Sequence, residues 1–447
     1  VLGKRGGGVG LALILYAVFA YSKTTPFPGV YALAPTVGTV LIILFATQQT
    51  TIGRFIGNKA FVGIGLISYS AYLWHQPLFA FARVRSLTEP SEIVFGMLSI
   101  GALVLAYFSW RYVEAPFRSH VLVSRVKLFA FSILGTLFFI GIGAIGVFND
   151  GFKNRFDIPN TVYDSIKRTS RSSDCFDKTD VHKIKDWYCT IGAENATKNL
   201  MVFGDSHALS VLPAIDDVTK KLGISGVFVG ASGCTPFLGI HALRNDQSVR
   251  NCNELNTRVF NYVKDNKIPL VVLVARWSYY TDGGYEGNNF SFINTKPDGN
   301  QSKQESRKAF DEGLEKTVDA YRNIGVKLIL VSQVPQQKVD PLQIFALSSL
   351  YKDRDIKEFS VKRDEHFALQ SFVRQSFKRV GVEVLDLDNV FCDTTWCAVG
   401  DKSSSYYIDQ DHLSLEGSKK LEKSLLSILV SLDFEVNNWF MMPLRYQ

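Results

Sequence analysis

Val202-Phe-Gly-Asp-Ser-His-Ala-Leu209 is the stretch on which the fold of this chain turns. An apolar run, Asn199-Leu-Met-Val-Phe203, enters a tight Gly204-Asp205-Ser206 turn, and a helical pattern leaves it. A serine at the C-terminal end of a parallel strand, facing a helix N-terminus, is where an α/β enzyme places a nucleophile. Far downstream, Asp409-Gln-Asp-His412-Leu-Ser supplies an acid and an imidazole three residues apart, again ahead of a helical stretch. Hydroxyl, base and orienting carboxylate are the groups that nucleophilic acyl chemistry needs. Alone, Gly-Asp-Ser-His reads equally well as an ordinary strand-to-helix turn. The Asp-x-x-His pair moves the reading to catalysis.

Strand-like runs at 199–203, 224–229, 270–275, 327–332 and 382–387 alternate with amphipathic helical stretches. Five βα repeats imply a five-stranded parallel sheet covered on both faces, a three-layer αβα domain. Ligands of such sheets bind beyond the carboxyl ends of the strands. Ser206, Gly233 and Arg276 all follow strand ends and are expected on one rim. The polar segment 281–309 is expected beside it, either shaping a carbohydrate site or disordered. His207 is expected to settle the turn. His182, His241 and His366 have no partners at ligand spacing and are expected on the surface. No metal site is expected.

The first 150 residues hold most of the long apolar runs. Segments 8–22, 31–48, 61–83, 93–113 and 128–148 are candidate spans, several near the ~20 apolar residues that cross a bilayer. Lys4 and Arg5, Arg54 and Lys59, and Arg111, Arg118, Arg125 and Lys127 lie in every second connection, whereas the others hold Lys23, Arg83 and Arg85. The positive-inside rule then puts everything after about residue 149 outside the cytoplasm. All six cysteines lie there. Disulfides Cys175–Cys189, Cys234–Cys252 and Cys392–Cys397 are the nearest-neighbour expectation for an oxidising compartment. The net charge of +7 is mild, and no basic cluster interleaved with aromatics argues for nucleic acid. The start, Val1-Leu-Gly-Lys, suggests a fragment of a longer chain.

Polar side chains interrupt the third span at Tyr69, Tyr72, Trp74 and His75, and Glu114-Ala-Pro-Phe-Arg118 follows the fourth. Ionisable groups at membrane depth are functional candidates, so Tyr69, His75 and Glu114 are marked; the alternatives are an interhelical hydrogen bond or an interfacial belt. Pro116 is expected to end its helix.

With these residues assembled, two resemblances emerge. The segment from about 198 to 433 resembles the SGNH (GDSL) hydrolases, and this implies Ser206 as nucleophile, His412 as general base and Asp409 as orienting acid, with Asp411 the rival. The resemblance also implies an oxyanion hole from the Ser206 amide, a glycine after the second strand (Gly233, or Gly230) and an asparagine after the third. Here Leu270-Val-Val-Leu-Val-Ala275 leads instead into Arg276-Trp-Ser-Tyr-Tyr280. Either two donors suffice or a residue of this loop, Arg276 foremost, replaces the asparagine.

Ser68-Tyr-Ser-Ala-Tyr-Leu-Trp-His-Gln-Pro77 and Tyr112-Val-Glu-Ala-Pro-Phe-Arg118 resemble the closing helices of the acyltransferase-3 family. That resemblance covers 1–120, with an additional helix at 121–149, a linking extension at 150–197 and the SGNH domain at 198–447. It implies a bacterial inner-membrane O-acyltransferase with a periplasmic domain, acetylating a surface polysaccharide such as O-antigen or a lipid-linked glycan. Acetyl-coenzyme A is the expected donor of the whole protein, with no cofactor bound by the residues here. A carbohydrate esterase and a non-catalytic glycan-presenting module are the alternatives.

Overall fold

The computed structural model describes the chain except residues 1, 23–24, 27–28, 87–88, 119–123, 168–175, 178–186, 195, 244–250, 286, 288, 352–354 and 441–447, and side chains at 2–4 and 432–440. Cys175, His182 and the Trp439–Met442 tail fall outside the described residues or side chains. The chain divides into two compact units, Val1–Gly151 and Phe152–Gln447.

The first unit is helical: Leu2–Ala20, Leu33–Phe45, Thr51–Ile56, Lys59–Val84, Glu92–Ser109 and Arg125–Phe148 are its longer helices. Short polar residues start the last four of them. Asn58 Oδ1 accepts from the Ala60 and Phe61 amides, and Ser91 and Ser124 cap the next two long helices. Two helical stretches, Glu92–Arg118 and Arg125–Phe148, are long and apolar enough to cross a membrane. These coincide with the fourth and fifth of the expected spans, and the other three expected segments are also helical. Arg5–Ala20 and Val30–Phe45 are shorter apolar stretches, and Lys59–Val84 carries Ser68, Tyr69, Ser70, Tyr72, His75 and Gln76 among its apolar residues. A π-helical turn at Trp110–Glu114 precedes Pro116, and Ala115–Arg118 is helical up to the last residue described there.

The second unit is α/β, with ten strands among the described residues. Six form the main sheet: β1 (Cys189–Gly192), β2 (Lys198–Gly204), β3 (Ser225–Gly230), β5 (Leu270–Val274), β7 (Lys327–Val331) and β9 (Glu383–Leu385). The spatial order is β1-β3-β2-β5-β7-β9, with β1 antiparallel at the edge and the other five parallel. The five parallel strands coincide with the expected runs. The sixth lies in the expected linking extension, so the sheet begins before residue 198. Two-stranded ladders join β4 (His241–Ala242) to β6 (Ile293–Asn294) and β8 (Val361–Lys362) to β10 (Trp396–Cys397).

Side-chain alternation explains why the strands read as unbroken apolar runs. Met201, Phe203, Val227, Val229, Val271 and Leu273 enter one core with Val259, Val263, Phe310, Leu314, Val373 and Phe377 of three covering helices. Leu200, Val272, Ile329 and Leu385 point the other way, against Ile215, Leu425 and Leu429. Those two layers fix the carboxyl ends of β2, β3 and β5 side by side.

The described residues of the polar 281–309 segment are tied down at several points. Its β6 pairs with β4, the Ser291 amide donates to the Tyr279 carbonyl at 2.8 Å, and Asp282 pairs with Lys303 and Arg307. His366 is not a surface residue. It is fully buried, with Nε2 2.9 Å from Asp388 Oδ1, because a partner on a distant element satisfies it. His241 is half-buried in β4.

Candidate active site

Strand β2 ends at Gly204, and the backbone there passes so close to β5 that a Cβ would collide with the Val274 carbonyl oxygen. Asp205 then caps the helix Ser206–Lys221 through Oδ1, which accepts from the His207 amide at 2.8 Å. Its Oδ2 accepts from the Arg276 amide at 3.0 Å and from the Tyr280 hydroxyl at 2.9 Å. The Asp205 side chain therefore ties the serine turn to the loop after β5. Burial pushes its pKa up to about 6, against the lowering effect of its donors, first among them the Arg276 and His207 amides.

Ser206 occupies the first turn of that helix, where backbone N–H groups have no intrahelical partner. His412 arrives from the other end of the domain. Its Nε2 lies 2.7 Å from Ser206 Oγ. Asp409 folds the approach: its Oδ1 accepts from the Asp411 amide at 3.1 Å and the His412 amide at 2.9 Å. Ser414 caps the helix that follows.

Two carboxylates, not one, reach His412 Nδ1. Asp409 Oδ2 lies 2.9 Å away and Asp411 Oδ1 3.0 Å away. Such a pair keeps a proton on Nδ1 and directs Nε2 at the serine. Burial works to lower the imidazole pKa, but hydrogen bonds to Asp409 and Asp411 raise it to about 10. Burial disfavours the ionised form of Asp411 as well, yet the hydrogen bond to His412 and the Arg276 guanidinium hold its carboxyl far below the usual range. Asp409 is also lowered, through His412.

His207 does more than settle the turn. Its ring is buried 4.9 Å from that of His412, centroid to centroid, with Nε2 4.0 Å from Asp411 Oδ2. Burial and the neighbouring His412 lower its pKa to about 3, so it is neutral. Ligating atoms of His207, Asp411 and His412 lie within 4.8 Å of one another. Arg276 already holds Asp411 and Ser206 faces His412, and the guanidinium charge opposes a cation there. We assign no metal ligand to this group.

Arg276 sits differently from its expected place in an oxyanion hole. Its amide is committed to Asp205, its Nη1 pairs with Asp411, and its Nη2 donates to Gln336 Oε1 at 3.1 Å. These contacts direct its amide and both terminal nitrogens to Asp205, Asp411 and Gln336. Gly233 lies in the turn after β3 with φ +63°. The preceding residue is clamped from outside the expected domain: Asp177 accepts from the Ser232 amide at 2.6 Å and from its hydroxyl at 2.8 Å.

A cavity of about 440 Å³ opens at the serine, lined by Ser206, His412, Ser232, Asp177, Phe176 and Lys167 among others. Sequence reasoning missed Asp177 and Ser232, for which no local pattern exists. It also passed over the Asp205 carboxylate, whose position inside Gly-Asp-Ser was the available signal.

Two expected disulfides are present, Cys234–Cys252 and Cys392–Cys397. The third expected pair contains Cys175, outside the described residues. In the first unit, Ser70 Oγ donates to Glu114 Oε2 at 2.9 Å and Arg118 pairs with Glu114 Oε1 at 2.7 Å. Tyr69 is exposed, and His75 Nδ1 lies 2.7 Å from the Tyr72 carbonyl oxygen; neither is brought to Glu114 by a hydrogen bond or ion pair among the described residues. 

Residues 174–427, more than half of the chain, match the profile of the SGNH domain fused to AT3 domains. The chain belongs to this SGNH family. A stretch of 123 residues is 28% identical to the peptidoglycan O-acetyltransferase OatA of Listeria monocytogenes serovar 1/2a, covering 27% of this chain and 20% of that protein. The chain thus matches about a fifth of that relative's length. Among solved structures, the periplasmic domain of a Salmonella ser. Paratyphi A lipopolysaccharide acetyltransferase aligns at TM-score 0.44 and 15% identity, over 60% of this chain and 94% of that one. A putative acylhydrolase from Bacteroides fragilis aligns at TM-score 0.29 and 12% identity, over 54% and 90%.

Proposed function

We propose that the protein is an O-acyltransferase that moves an acetyl group onto a hydroxyl of a bacterial surface polysaccharide, such as O-antigen, or of a lipid-linked glycan. The observation that carries this reading is the in-register line from Asp409 and Asp411 through His412 to Ser206 at the mouth of a cavity. Membership of a family fused to acyltransferase domains, and likeness to a peptidoglycan O-acetyltransferase, support it. A module that only presented glycan would not need that line.

In the proposed cycle, Ser206 Oγ attacks the acetyl carbonyl as neutral His412 takes its proton on Nε2. The tetrahedral oxyanion is held by the amides of Ser206 and Gly233. Its collapse expels the donor's leaving group, which takes the proton from His412, and leaves acetyl-Ser206. A sugar hydroxyl then gives its proton to His412 and attacks the ester carbon. Collapse breaks the Ser206 Oγ–carbonyl bond and returns the proton to the serine. Transfer over hydrolysis depends on the acceptor filling the cavity and excluding water.

The acetyl group is proposed to come from acetyl-coenzyme A. The domain is assigned to the periplasm of a bacterial inner-membrane protein, a setting in keeping with disulfides confined to the second unit. Incubating the full chain with a fluorophosphonate probe and mapping the labelled peptide tests the reading. Label on Ser206, lost in His412→Ala, is expected. Absence of serine labelling in the folded protein would overturn it. Release of free acetate in the presence of glycan, without transfer, would make the domain an esterase.

A further inference from the structure

The proposed cycle leaves a buried cation unused. Arg276 is 6% exposed, and three of its nitrogens are bonded: the amide to Asp205, Nη1 to Asp411 and Nη2 to Gln336. Followed outward, these contacts close a ring. Ser206 follows Asp205; Asp205 holds the Arg276 amide; the Arg276 guanidinium holds Asp411 Oδ2. Asp411 Oδ1 lies 3.0 Å from His412 Nδ1, and His412 Nε2 lies 2.7 Å from Ser206 Oγ. Nothing in the Asp-x-x-His spacing requires this ring, because Asp409 already reaches Nδ1.

We propose that Arg276 and Asp411 form a positioning and charge-setting pair for His412, in which the guanidinium fixes Asp411 on Nδ1 as a second acid and offsets its negative charge. The inference rests on the assignment of Ser206 and His412 made above.

Four elements present charged or titratable groups to His412. Asp409 and Asp411 come from its own loop, and His207 from the helix after β2. Asp205 stands at the end of β2, and Arg276 acts from the loop after β5 through Asp411. His207 is buried and neutral. Two carboxylates therefore contact the imidazole, and one guanidinium sits on the far oxygen of one of them. With Arg276 in place, the imidazolium balances one carboxylate and Arg276 the other. Without Arg276, both negative charges act on the imidazole, which then holds its proton more tightly. Without Asp411, one of them is gone and the proton leaves more readily. The two partners of one ion pair thus act on His412 with opposite sign. Mere packing would not produce that signature.

The guanidinium fork, Nη1 on Asp411 and Nη2 on Gln336, explains why an arginine stands here. Its backbone amide serves the serine turn, while its terminal nitrogens, a side chain's length away, serve the histidine loop. One residue sets the separation of both catalytic ends. A lysine would keep the charge and lose the two-pronged geometry.

The test measures kcat/KM for hydrolysis of a small aryl acetate against pH, using the full chain in detergent, for the parent, Asp411→Asn, Arg276→Gln and Arg276→Lys. The acid limb of the profile is expected to move to lower pH in Asp411→Asn, by roughly one unit, and to higher pH in Arg276→Gln. Arg276→Lys should keep the limb near the parent's with a kcat lower by about tenfold or more. Limbs that stay put in both charge variants, or move in the same direction, overturn the proposal. If Arg276→Gln does not fold, Asp411→Asn decides alone, an unmoved limb being the contrary result. Ser206→Ala separates the two levels. Activity retained in that variant overturns the nucleophile assignment and the pair with it, whereas its loss together with unmoved limbs overturns the pair alone.

Discussion

His412 Nε2 lies 2.7 Å from Ser206 Oγ across 206 positions of sequence. The contact joins the loop before the last helices to the first turn after β2. Replacing either side chain by alanine should lower acyl transfer by about 10⁴-fold or more, since such groups act as one unit. The rate is read with a chromogenic acetate ester, alongside a thermal melt to confirm folding.

The two acids on Nδ1 should show non-additivity. Asp409→Ala and Asp411→Ala are each expected to cost about ten- to a hundredfold, because the other carboxylate still orients the ring. The double variant should fall by about 10⁴-fold. Equal loss in Asp409→Ala and the double variant would assign all orientation to Asp409.

His412 gives stability a pH dependence of known sign. Its pKa is raised to about 10 from an ordinary 6.5. The folded state therefore binds the proton more tightly than the unfolded chain. The resulting stability is fully present below about 6.5 and is lost as pH rises to about 10. The melting temperature should decline over that window, less steeply in His412→Gln. The same proton must leave before the imidazole can act as base, so kcat/KM should climb through the alkaline side of neutrality.

Cys234–Cys252 closes the segment immediately after Gly233, the proposed oxyanion donor. Removing a disulfide of this kind costs about 2–4 kcal/mol. The Cys234→Ala, Cys252→Ala pair should lower the melting temperature by several degrees. The parent melted in reductant should lose at least as much, because Cys392–Cys397 opens as well, and the double variant should lose less than the parent does on reduction.

Asp177 offers a contrast between rate and stability. Its carboxylate holds the Ser232 amide and hydroxyl from an exposed position. Asp177→Ala should cost about 1 kcal/mol or less in stability, as an exposed hydrogen-bonded group. Its kcat should fall about tenfold, because the turn bearing Gly233 is no longer fixed.

The parallel strands were legible because burial on both faces turns each into an apolar run. Edge strand β1 was not, since Cys189-Thr-Ile-Gly192 is short and mixed, and pairing with β3 alone makes it a strand. Ser206, His412 and Asp409 could be read from motif spacing. The role of Arg276 could not, because it depends on Asp205 and Asp411 arriving from either side of it in space. His366 misled for the same reason, its partner Asp388 lying on another helix. In the first unit, apolar runs marked the helices, and the two most apolar of them, Glu92–Arg118 and Arg125–Phe148, are long enough to span a bilayer.

The most direct measurement replaces Ser206 by alanine in the intact protein and assays acetylation of the cell's surface polysaccharide at unchanged membrane levels. Loss of acetylation is the expected result and would make the serine an obligatory acyl carrier. Acetylation that persists would contradict the acyl-serine mechanism and place the transfer chemistry outside the SGNH domain.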